Sequence, residues 1–341
     1  MANIKDVAQL ANSSITTVSR VINNTGYVKQ ATRAKILEAI KALNYKPLER
    51  SEGFSGSRTI GLIVPNIENP FFGKMARYLN HAANAFGYDI LLCNVEGTAN
   101  QTDDSLFERL GNRVDGLIYA SSHRSMEVIQ AAQRRNLPMV VLDRESKNAK
   151  INSVTINNNY GAFIATEYLI KLGHERIAYI GGAVNMEISV RRKEGYLRAL
   201  QEYGIPVAGR YISYGDYTLQ SGFECMGRLL KEHPEITAVL AANDLMAIGA
   251  VQQLHKFGFR VAENISVIGF DNIELAVNID PALTTVEYPM EQMSERVISL
   301  ILRQIKQEEY PTEAVTLFPK LVIRESCAPI AQRCQRKEGR S

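Results

Sequence analysis

Short apolar runs alternate with longer amphipathic segments from Thr59 onward. Ten runs rich in Val, Ile and Leu are separated by spacers of helical length; they are TIGLIVPN, YDILLCNVE, VDGLIYAS, PMVVLDR, SVTINN, RIAYIGG, YISYGD, AVLAAND, SVIGFDN and LTTVEYP. Continuous apolar runs suit strands that are buried on both faces, and the spacers imply βαβ crossovers. The pattern predicts an α/β body with parallel sheets.

Ten strands exceed one comfortable open sheet, so the body over residues 59–330 is predicted to form two subdomains of about five strands each. Near the end of the body, EQMSERVISLILRQI is predicted to be a helix, and VTLFPKLVIRES follows it. The chain is therefore expected to return to both subdomains. The crossovers are expected near residues 157–160, 286–290 and 311–319.

The first 47 residues have a different pattern. The apolar positions of IKDVAQLA recur at i, i+3, i+4 and i+7, which predicts a helix with one buried face. Asn12 tolerates the left-handed backbone that a sharp turn requires. Ser14 is a good N-cap for a second helix that begins at Ile15.

The second helix is expected to have two distinct faces. Its apolar stripe comprises Val18, Val21 and Ile22. Its opposite face carries hydrogen-bonding groups and a cation, from Thr16, Arg20 and Asn23. A third segment, ATRAKILEAIKALNY, closes a small three-helix core. Two helices joined by so short a turn are typical of a helix-turn-helix that binds nucleic acid.

The charge is distributed unevenly along the 341 residues. Residues 1–47 hold seven basic and two acidic side chains, and residues 331–341 hold four and one, whereas the intervening residues carry a net −5. A basic head on an acidic body favours a polyanion-binding module joined to a separate domain. Residues 48–58 are predicted to be a linker, and the basic tail over 331–341 is expected to be disordered.

Several classes of protein are disfavoured by what the sequence lacks. It has no apolar run long enough to cross a bilayer and no signal-peptide core, so a cytoplasmic location and no membrane partner are expected. The four cysteines form no CxxC pair, which argues against a structural zinc site. Nucleotide-binding glycine loops and a Ser/His/Asp arrangement are also missing, so no enzyme, cofactor or metal is expected.

The segment IKDVAQLANSSITTVSRVINNTGYVKQATRAKILEAIKALNYKP resembles the DNA-binding head of the LacI/GalR (lactose-repressor) family of bacterial transcriptional regulators. The resemblance continues through IGLIVPNIENPFF, VDGLIYAS, GHERIAYIGG, AVLAAND, ISVIGFDN and PALTTVEYP. It implies a helix-turn-helix head over residues 1–47 and a periplasmic-binding-protein-like body of two parallel α/β subdomains. The implied function is sequence-specific transcriptional regulation, expected to be repression of carbohydrate-utilisation genes.

The resemblance also assigns roles within the head. It places the helix from Ile15 in the major groove of double-stranded operator DNA. The base-reading positions are then Ile15, Thr16 and Arg20, and arginine commonly pairs with guanine. The positions expected to contact phosphate or to pack are Ser14, Thr17, Ser19, Asn23, Tyr27 and Thr32. One head buries too little surface for a tight complex, so a homodimer and a pseudopalindromic operator are expected.

Parallel α/β sheets bind ligands at the carboxyl ends of their strands. The candidate side chains at those ends are Phe71, Phe72, Arg144, Asn157, Tyr217, Asn243 and Asp271. Singly, each has a simpler interpretation, since an Asn or Asp after a strand often caps a helix and a Phe pair is often core. The resemblance implies that together they form an effector cleft, and it adds Arg192.

The resemblance leaves the effector open. Aromatic faces with Arg and Asp form a plausible sugar site, and the Asp-Arg pair after the fourth strand is similar to that of pentose and hexose binders. Met186 and Ile188 depart from the family's pattern, because some members of the family have polar ligand-binding groups at these two positions. A sugar or sugar derivative is the leading expectation. The alternatives are a regulator that answers to a non-sugar metabolite and a sugar-binding protein without a regulatory role.

The linker PLERSEGFSGSRT is where the chain departs furthest from the family. It is about two residues short of the usual hinge helix, and Glu52 stands where a leucine that wedges into the minor groove is expected. A carboxylate cannot be inserted cheaply there. Either Leu48 or Phe54 takes the place of that leucine, or the hinge bends the operator DNA only a little. The tail has no leucine heptads, so a dimer rather than a tetramer is expected.

Overall fold

The computed structural model of the protein describes residues 4–22, 28–43, 56–95, 107, 110, 113–120, 125–143, 151–207 and 209–330. The chain divides into two compact units, Met1–Gly56 and Ser57–Ser341. Most of the linker, including Leu48, Glu52 and Phe54, lies outside the described residues, and so does the tail from 331 to 341.

Within its described residues, the first unit contains three helices, α1 (Ile4–Leu10), α2 (Ile15–Ile22) and α3 (Gln30–Ala42). Asn12 makes the turn between α1 and α2 with φ 46°, and the Ser14 Oγ accepts the backbone N–H of Thr17 at 3.1 Å. The predicted turn and cap are therefore confirmed. The small core is formed by Val7, Ala8, Ala11, Val18, Val21, Ile36 and Ala39.

The first subdomain of the second unit is built on a parallel six-stranded sheet of order β11-β5-β4-β3-β1-β2. Its strands are β1 (Thr59–Val64), β2 (Asp89–Asn94), β3 (Gly116–Tyr119), β4 (Met139–Leu142), β5 (Asn152–Ile156) and β11 (Ala314–Leu317). Its helices are α4 (Pro70–Asn84), α5 (Ser125–Arg134) and α10 (Met290–Ile305). The central strands are buried on both faces, as their continuous apolar runs predict.

The second subdomain has a six-stranded sheet of order β12-β10-β9-β8-β6-β7, parallel except for β12. Its strands are β6 (Ile177–Gly181), β7 (Ile212–Tyr214), β8 (Ala238–Ala241), β9 (Ser266–Asp271), β10 (Thr284–Glu287) and β12 (Lys320–Val322). Its helices are α6 (Asn158–Lys171), α7 (Glu187–Glu202), α8 (Leu219–Glu232) and α9 (Asp244–Lys256), with short 3-10 turns at Gly209–Tyr211 and Glu274–Val277.

All ten predicted strands are present, but each sheet has six strands rather than five. The difference comes from the end of the chain, where β11 pairs with β5 and β12 pairs with β10. The expected return to both subdomains is thus confirmed. The chain passes between the subdomains after β5, between β10 and α10, and between β11 and β12. Across the described residues, no helix combines the length and apolar character that a membrane span needs.

Candidate functional site

A cavity of about 430 Å³ lies between the two subdomains, at the carboxyl ends of the parallel strands. The first subdomain contributes the loop after β1 and the start of α4, and the second contributes α7, the loop before α8 and the end of β9. The lining residues are Pro65, Asn66, Glu68, Asn69, Phe71, Phe72, Met186, Ile188, Arg192, Asp216, Tyr217, Thr218, Leu219, Leu245, Asp271 and Tyr288.

The aromatic wall of the cavity begins where α4 starts. Asn69 caps this helix, because its Oδ1 accepts the backbone N–H of Phe71 at 3.0 Å, and Pro70 occupies the first helical turn. The cap fixes the direction of the next two side chains. Phe71 packs edge-to-face on Phe72, with ring centroids 5.2 Å apart, and on Tyr288, at 4.9 Å. Three rings therefore form one apolar surface.

Arg192 of α7 occupies the floor of the cavity and is only 2% exposed. Its guanidinium carbon lies 3.7 Å from the centre of the Phe270 ring. Its N–H groups donate to the Asn158 Oδ1, the Ala242 carbonyl, the Asp271 Oδ1 and the Tyr288 hydroxyl. A buried cation is tolerated only when it is paired and hydrogen-bonded in this way, so Arg192 holds a fixed orientation.

Asp271 ends β9 beside Arg192, with its Oδ1 3.4 Å from Nη2 of that arginine. Burial raises the pKa of Asp271 well above its usual range, while Arg192 acts in the opposite direction. Burial also raises the pKa of Tyr288, which keeps its hydroxyl protonated. The pKa of Arg192 is raised although burial acts against its charge, because Tyr288 and Asp271 stabilise the cation. The floor of the cavity is thus a polar cluster within an apolar wall.

Tyr217 closes the side of the cavity that belongs to the second subdomain. Its backbone has φ 71°, and its carbonyl accepts the side-chain amide of Asn243 at 3.0 Å. Its hydroxyl forms a 2.6 Å hydrogen bond with that of Ser189. The ring lies directly over Gly182, where any side chain would overlap it. Gly182 is therefore required for the position of Tyr217.

A second buried carboxyl group lies close to this floor. Asp244 begins α9 and is fully buried. It accepts the Thr285 hydroxyl at 2.5 Å and the backbone N–H of Ile273 at 2.8 Å. Burial raises its pKa to about 7, and these two hydrogen bonds act in the opposite direction. Asp244 ties α9 to the segments after β9 and in β10.

The structure brings together five of the predicted effector residues, namely Phe71, Phe72, Arg192, Tyr217 and Asp271. Asn157 caps α6 and lines a neighbouring polar cavity of about 330 Å³. Asn243 caps α9 and is buried behind Tyr217, so it does not line the cavity. For these two residues the simpler interpretation as helix caps describes the structure. Arg144 lies outside the described residues.

Sequence reasoning missed Tyr288, which contacts both Phe71 and Arg192. It follows β10 at the passage to α10, and its position after a strand was the signal that could have found it. Met186 and Ile188 line the cavity as apolar groups. A larger groove, of about 820 Å³, lies between α4 and α10 and contains none of the predicted residues.

The head presents part of the predicted DNA-reading face. On α2, Ile15 is 45% exposed and Arg20 is exposed. Ser14 is exposed, and its hydroxyl forms a 2.8 Å hydrogen bond with that of Thr17. Thr32 is half-buried in α3. The side chains of Thr16 and Ser19, and all of Asn23 and Tyr27, lie outside the described part of the chain.

Among the residues that the structure describes, no three His, Cys, Asp or Glu side chains are grouped as metal ligands. The site instead offers stacking surfaces and hydrogen-bonding groups. A helix-turn-helix unit together with a two-sheet unit that encloses a cavity defines a DNA-binding regulator with a ligand-binding domain. Comparison with known proteins leads to the same class.

Residues 3–47 match the family of bacterial regulatory proteins called the lacI family. Residues 57–324 match the periplasmic binding proteins and sugar binding domain of the LacI family. The chain belongs to the LacI family, and it is a DNA-binding transcriptional regulator with an effector-binding domain. The expected family, the fold class and the function as a DNA-binding transcriptional regulator with an effector-binding domain are confirmed.

Individual relatives cover nearly the whole chain. The HTH-type transcriptional repressor PurR of Histophilus somni (strain 129Pt) is 35% identical over 329 residues, which span 96% of this chain and 99% of that protein. The structure of a transcriptional regulator CelR–cellobiose complex is 32% identical with a TM-score of 0.74, covering 96% and 100%. A lac repressor dimer bound to operator and the anti-inducer ONPF is 27% identical with a TM-score of 0.74, covering 96% and 99%.

Proposed function

We propose that this protein is a homodimeric transcriptional repressor whose affinity for a pseudopalindromic operator is controlled by a sugar or sugar derivative in the inter-subdomain cavity. Residues 1–47 bind DNA, and residues 59–330 bind the effector and dimerise. Residues 48–58 link these two parts. The protein acts in the cytoplasm, where its operator lies. The similarity to PurR repressors and to an operator-bound lac repressor dimer supports this assignment.

The composition of the cavity supports a sugar as the effector. Its volume of about 430 Å³ falls within the range of small-molecule sites. The rings of Phe72 and Tyr217 offer apolar faces to a pyranose or furanose, and the carboxyl group of Asp271 forms hydrogen bonds with hydroxyl groups. Two similar structures support a sugar as the class of effector. One is the CelR–cellobiose complex, and the other is a LacI family regulator from Enterococcus faecium with bound ribose. The latter is 30% identical with a TM-score of 0.72, and the match covers 80% of this chain and 99% of that one.

Control of DNA binding follows from the two-sided cavity. Phe72 belongs to the first subdomain, whereas Tyr217 and Asp271 belong to the second. A ligand that contacts all three stabilises one relative position of the subdomains over the others. Such differential binding is what couples an effector site to a distant DNA site.

DNA recognition is assigned to the exposed face of α2. Arg20 donates a bidentate pair of hydrogen bonds to a guanine, and Ile15 contacts a thymine methyl group in the major groove. The Ser14 cap positions the first turn of this helix near phosphate. The exposure of Arg20 and Ile15 supports these roles.

A ligand screen on the full chain tests the effector class. Thermal unfolding is measured with pentoses, hexoses, disaccharides, purine bases and amino acids, and each positive compound is titrated by calorimetry. A sugar present at 100 times its Kd is expected to add about 2.7 kcal/mol of stability. A positive result for a non-sugar metabolite, with every sugar inactive, would replace the sugar in this proposal.

A further inference from the structure

One hydrogen bond ties the two subdomains together beside the effector cavity. Lys74 lies on α4 of the first subdomain, and its Nζ donates to the backbone carbonyl of Asn272 at 2.7 Å. Asn272 follows β9 of the second subdomain directly. The same first turns of α4 place Phe71 and Phe72 on the cavity wall. The tie therefore joins one wall of the cavity to the opposite subdomain.

The acceptor of this hydrogen bond is held firmly in the second subdomain. The Asn272 side-chain amide donates to Glu287 at 2.8 Å, and its Oδ1 accepts Arg324 at 2.6 Å. Its backbone N–H donates to the Thr285 hydroxyl at 3.3 Å. These three contacts fix the direction of the Asn272 carbonyl. Lys74 consequently binds a rigid part of the second sheet.

Asn272 is also the direct neighbour of the cavity residue Asp271. Both residues have positive φ, 108° for Asp271 and 52° for Asn272, which non-glycine residues rarely adopt. Such a backbone persists only where its surroundings hold it in place. The Asp271 carboxyl group and the Asn272 carbonyl therefore keep a fixed position relative to each other, so a ligand that pulls on Asp271 acts on the same contact between the subdomains.

The charge of Lys74 strengthens the tie. The side chain is partly buried, and burial lowers its pKa, whereas the carboxyl groups of Glu287, Asp244 and Asp271 act in the opposite direction. A charged donor in a partly desolvated position forms a stronger hydrogen bond than a neutral donor in water. The exposed ion pairs of the surface, such as that of Arg198 with Glu202, contribute much less.

We propose that Lys74 is a clasp that holds the two subdomains in the arrangement of this structure, here called closed, and that the Asp271–Asn272 segment couples this clasp to the cavity. The second half of the proposal rests on the proposed effector function. Loss of one charge-assisted hydrogen bond corresponds to roughly a tenfold or larger fall in the ratio of closed to open molecules.

Distances between the subdomains test the clasp. Nitroxide labels are introduced through an unnatural amino acid at the exposed Gln130 of α5 and Gln252 of α9. Labelled full-length chain is mixed with excess unlabelled chain, so that only distances within one protomer are recorded. Pulsed electron paramagnetic resonance is measured without ligand and again with D-ribose or cellobiose.

The matched control is Lys193→Met. Lys193 is half-buried and donates to the Tyr214 hydroxyl at 2.7 Å, but this contact lies within the second subdomain. Lys74→Met is expected to move the ligand-free distribution toward a second, open population, and Lys74→Gln is expected to do the same because its shorter amide cannot reach the carbonyl. Lys193→Met and Lys74→Arg are expected to retain the distribution of the unmodified chain.

A distribution for Lys74→Met and Lys74→Gln that superimposes on that of the unmodified chain would overturn the clasp. The same conclusion would follow if Lys193→Met opened the protein equally. If neither sugar binds, the result counts against a sugar as the effector and not against the clasp. The ligand-free distances still decide whether the clasp exists. If the clasp is coupled to the cavity, a sugar that binds the unmodified chain is expected to close the Lys74→Met variant less completely than it closes the unmodified chain.

Discussion

Arg192 organises the cavity at the scale of a single residue. Its side chain joins α7 to α6, to Ala242 directly after β8, and to both Asp271 and Tyr288. Because the guanidinium is buried, removing either the cation or its acceptors leaves polar groups without partners in an apolar setting. The residue that the effector is expected to approach is thus also a determinant of stability.

Arg192→Met is expected to lower the free energy of unfolding by roughly 3–5 kcal/mol, because it leaves the buried Asp271 and the Ala242 carbonyl uncompensated. Urea denaturation followed by circular dichroism measures the change. The matched control on the same helix is Arg198→Met, whose exposed pair with Glu202 and contact with the Phe163 ring at 4.2 Å predict a loss of about 1–2 kcal/mol. Equal losses for the two variants would contradict the structural role of Arg192.

Arg20→Ala is expected to relax base preference at one symmetric pair of operator positions, since each lost bidentate contact removes roughly 1–3 kcal/mol of discrimination. Selection of binding sites from random DNA by both proteins gives the comparison. Lys41→Ala, an exposed change in α3, serves as the control and is expected to keep the preferred sequence. Recovery of one common motif from Arg20→Ala and the unmodified chain would remove Arg20 from base readout.

At the scale of elements, glycines set how closely the helices of the second subdomain pack. A Cβ at Gly222 of α8 would overlap the backbone of Met246, and a Cβ at Gly249 of α9 would overlap the backbone of Leu219. The two helices therefore touch through their main chains. This close contact positions the start of α8, which follows Tyr217, against the start of α9, where Asn243 holds the Tyr217 carbonyl.

Gly249→Ala is expected to force α8 and α9 apart, at a cost of roughly 1–3 kcal/mol in stability, and to move Tyr217 from the cavity wall. The thermal midpoint reports the first effect, and the affinity for an identified sugar reports the second. Gly209→Ala is the control, because a Cβ there meets no atom within 4 Å. An unchanged midpoint for Gly249→Ala would show that the two helices are less tightly packed than the structure has them.

For the whole molecule, buried carboxyl groups link stability to pH. Asp244 has a pKa raised to about 7 in the folded state, so the folded protein keeps a proton that the unfolded chain releases near pH 4. Stability from this group is complete below pH 4 and is lost as pH rises toward 7. The pKa values of Asp143 and Asp271 are also raised, so these two groups likewise lower the free energy of unfolding as the pH rises.

Asp244→Asn is expected to reduce the fall in unfolding free energy between pH 4 and pH 7 by an amount of the order of a few kcal/mol, because asparagine mimics the protonated carboxyl at every pH. Denaturation curves at several pH values measure the slope. Asp216→Asn is a suitable control, since hydrogen bonds from Thr218 and Ser221 lower the pKa of Asp216 against the opposing effect of burial. A slope that Asp244→Asn leaves unchanged would show that Asp244 is ionised in the folded protein.

The sequence was sufficient for the elements and for much of the cavity. Buried parallel strands have continuous apolar runs, so ten strands were visible, whereas the half-exposed β11 and β12 were not. Phe71, Tyr217 and Asp271 were found because ligand sites follow strands. The sequence offered a helix cap and a place in the cavity as two interpretations of Asn243, and it could not decide between them. Nor could it show Lys74 against Asn272, because such contacts depend on how two subdomains close.

Fluorescence anisotropy of an operator selected from random DNA measures directly whether occupation of the cavity changes operator affinity. A sugar that raises the thermal midpoint is expected to change the operator Kd by about 5- to 150-fold in the unmodified chain. Asp271→Ala, which removes the hydrogen-bonding group, is expected to keep the operator Kd measured without sugar and to lose that change. A sugar that binds the unmodified chain and leaves its operator Kd the same would show that the cavity does not control DNA binding.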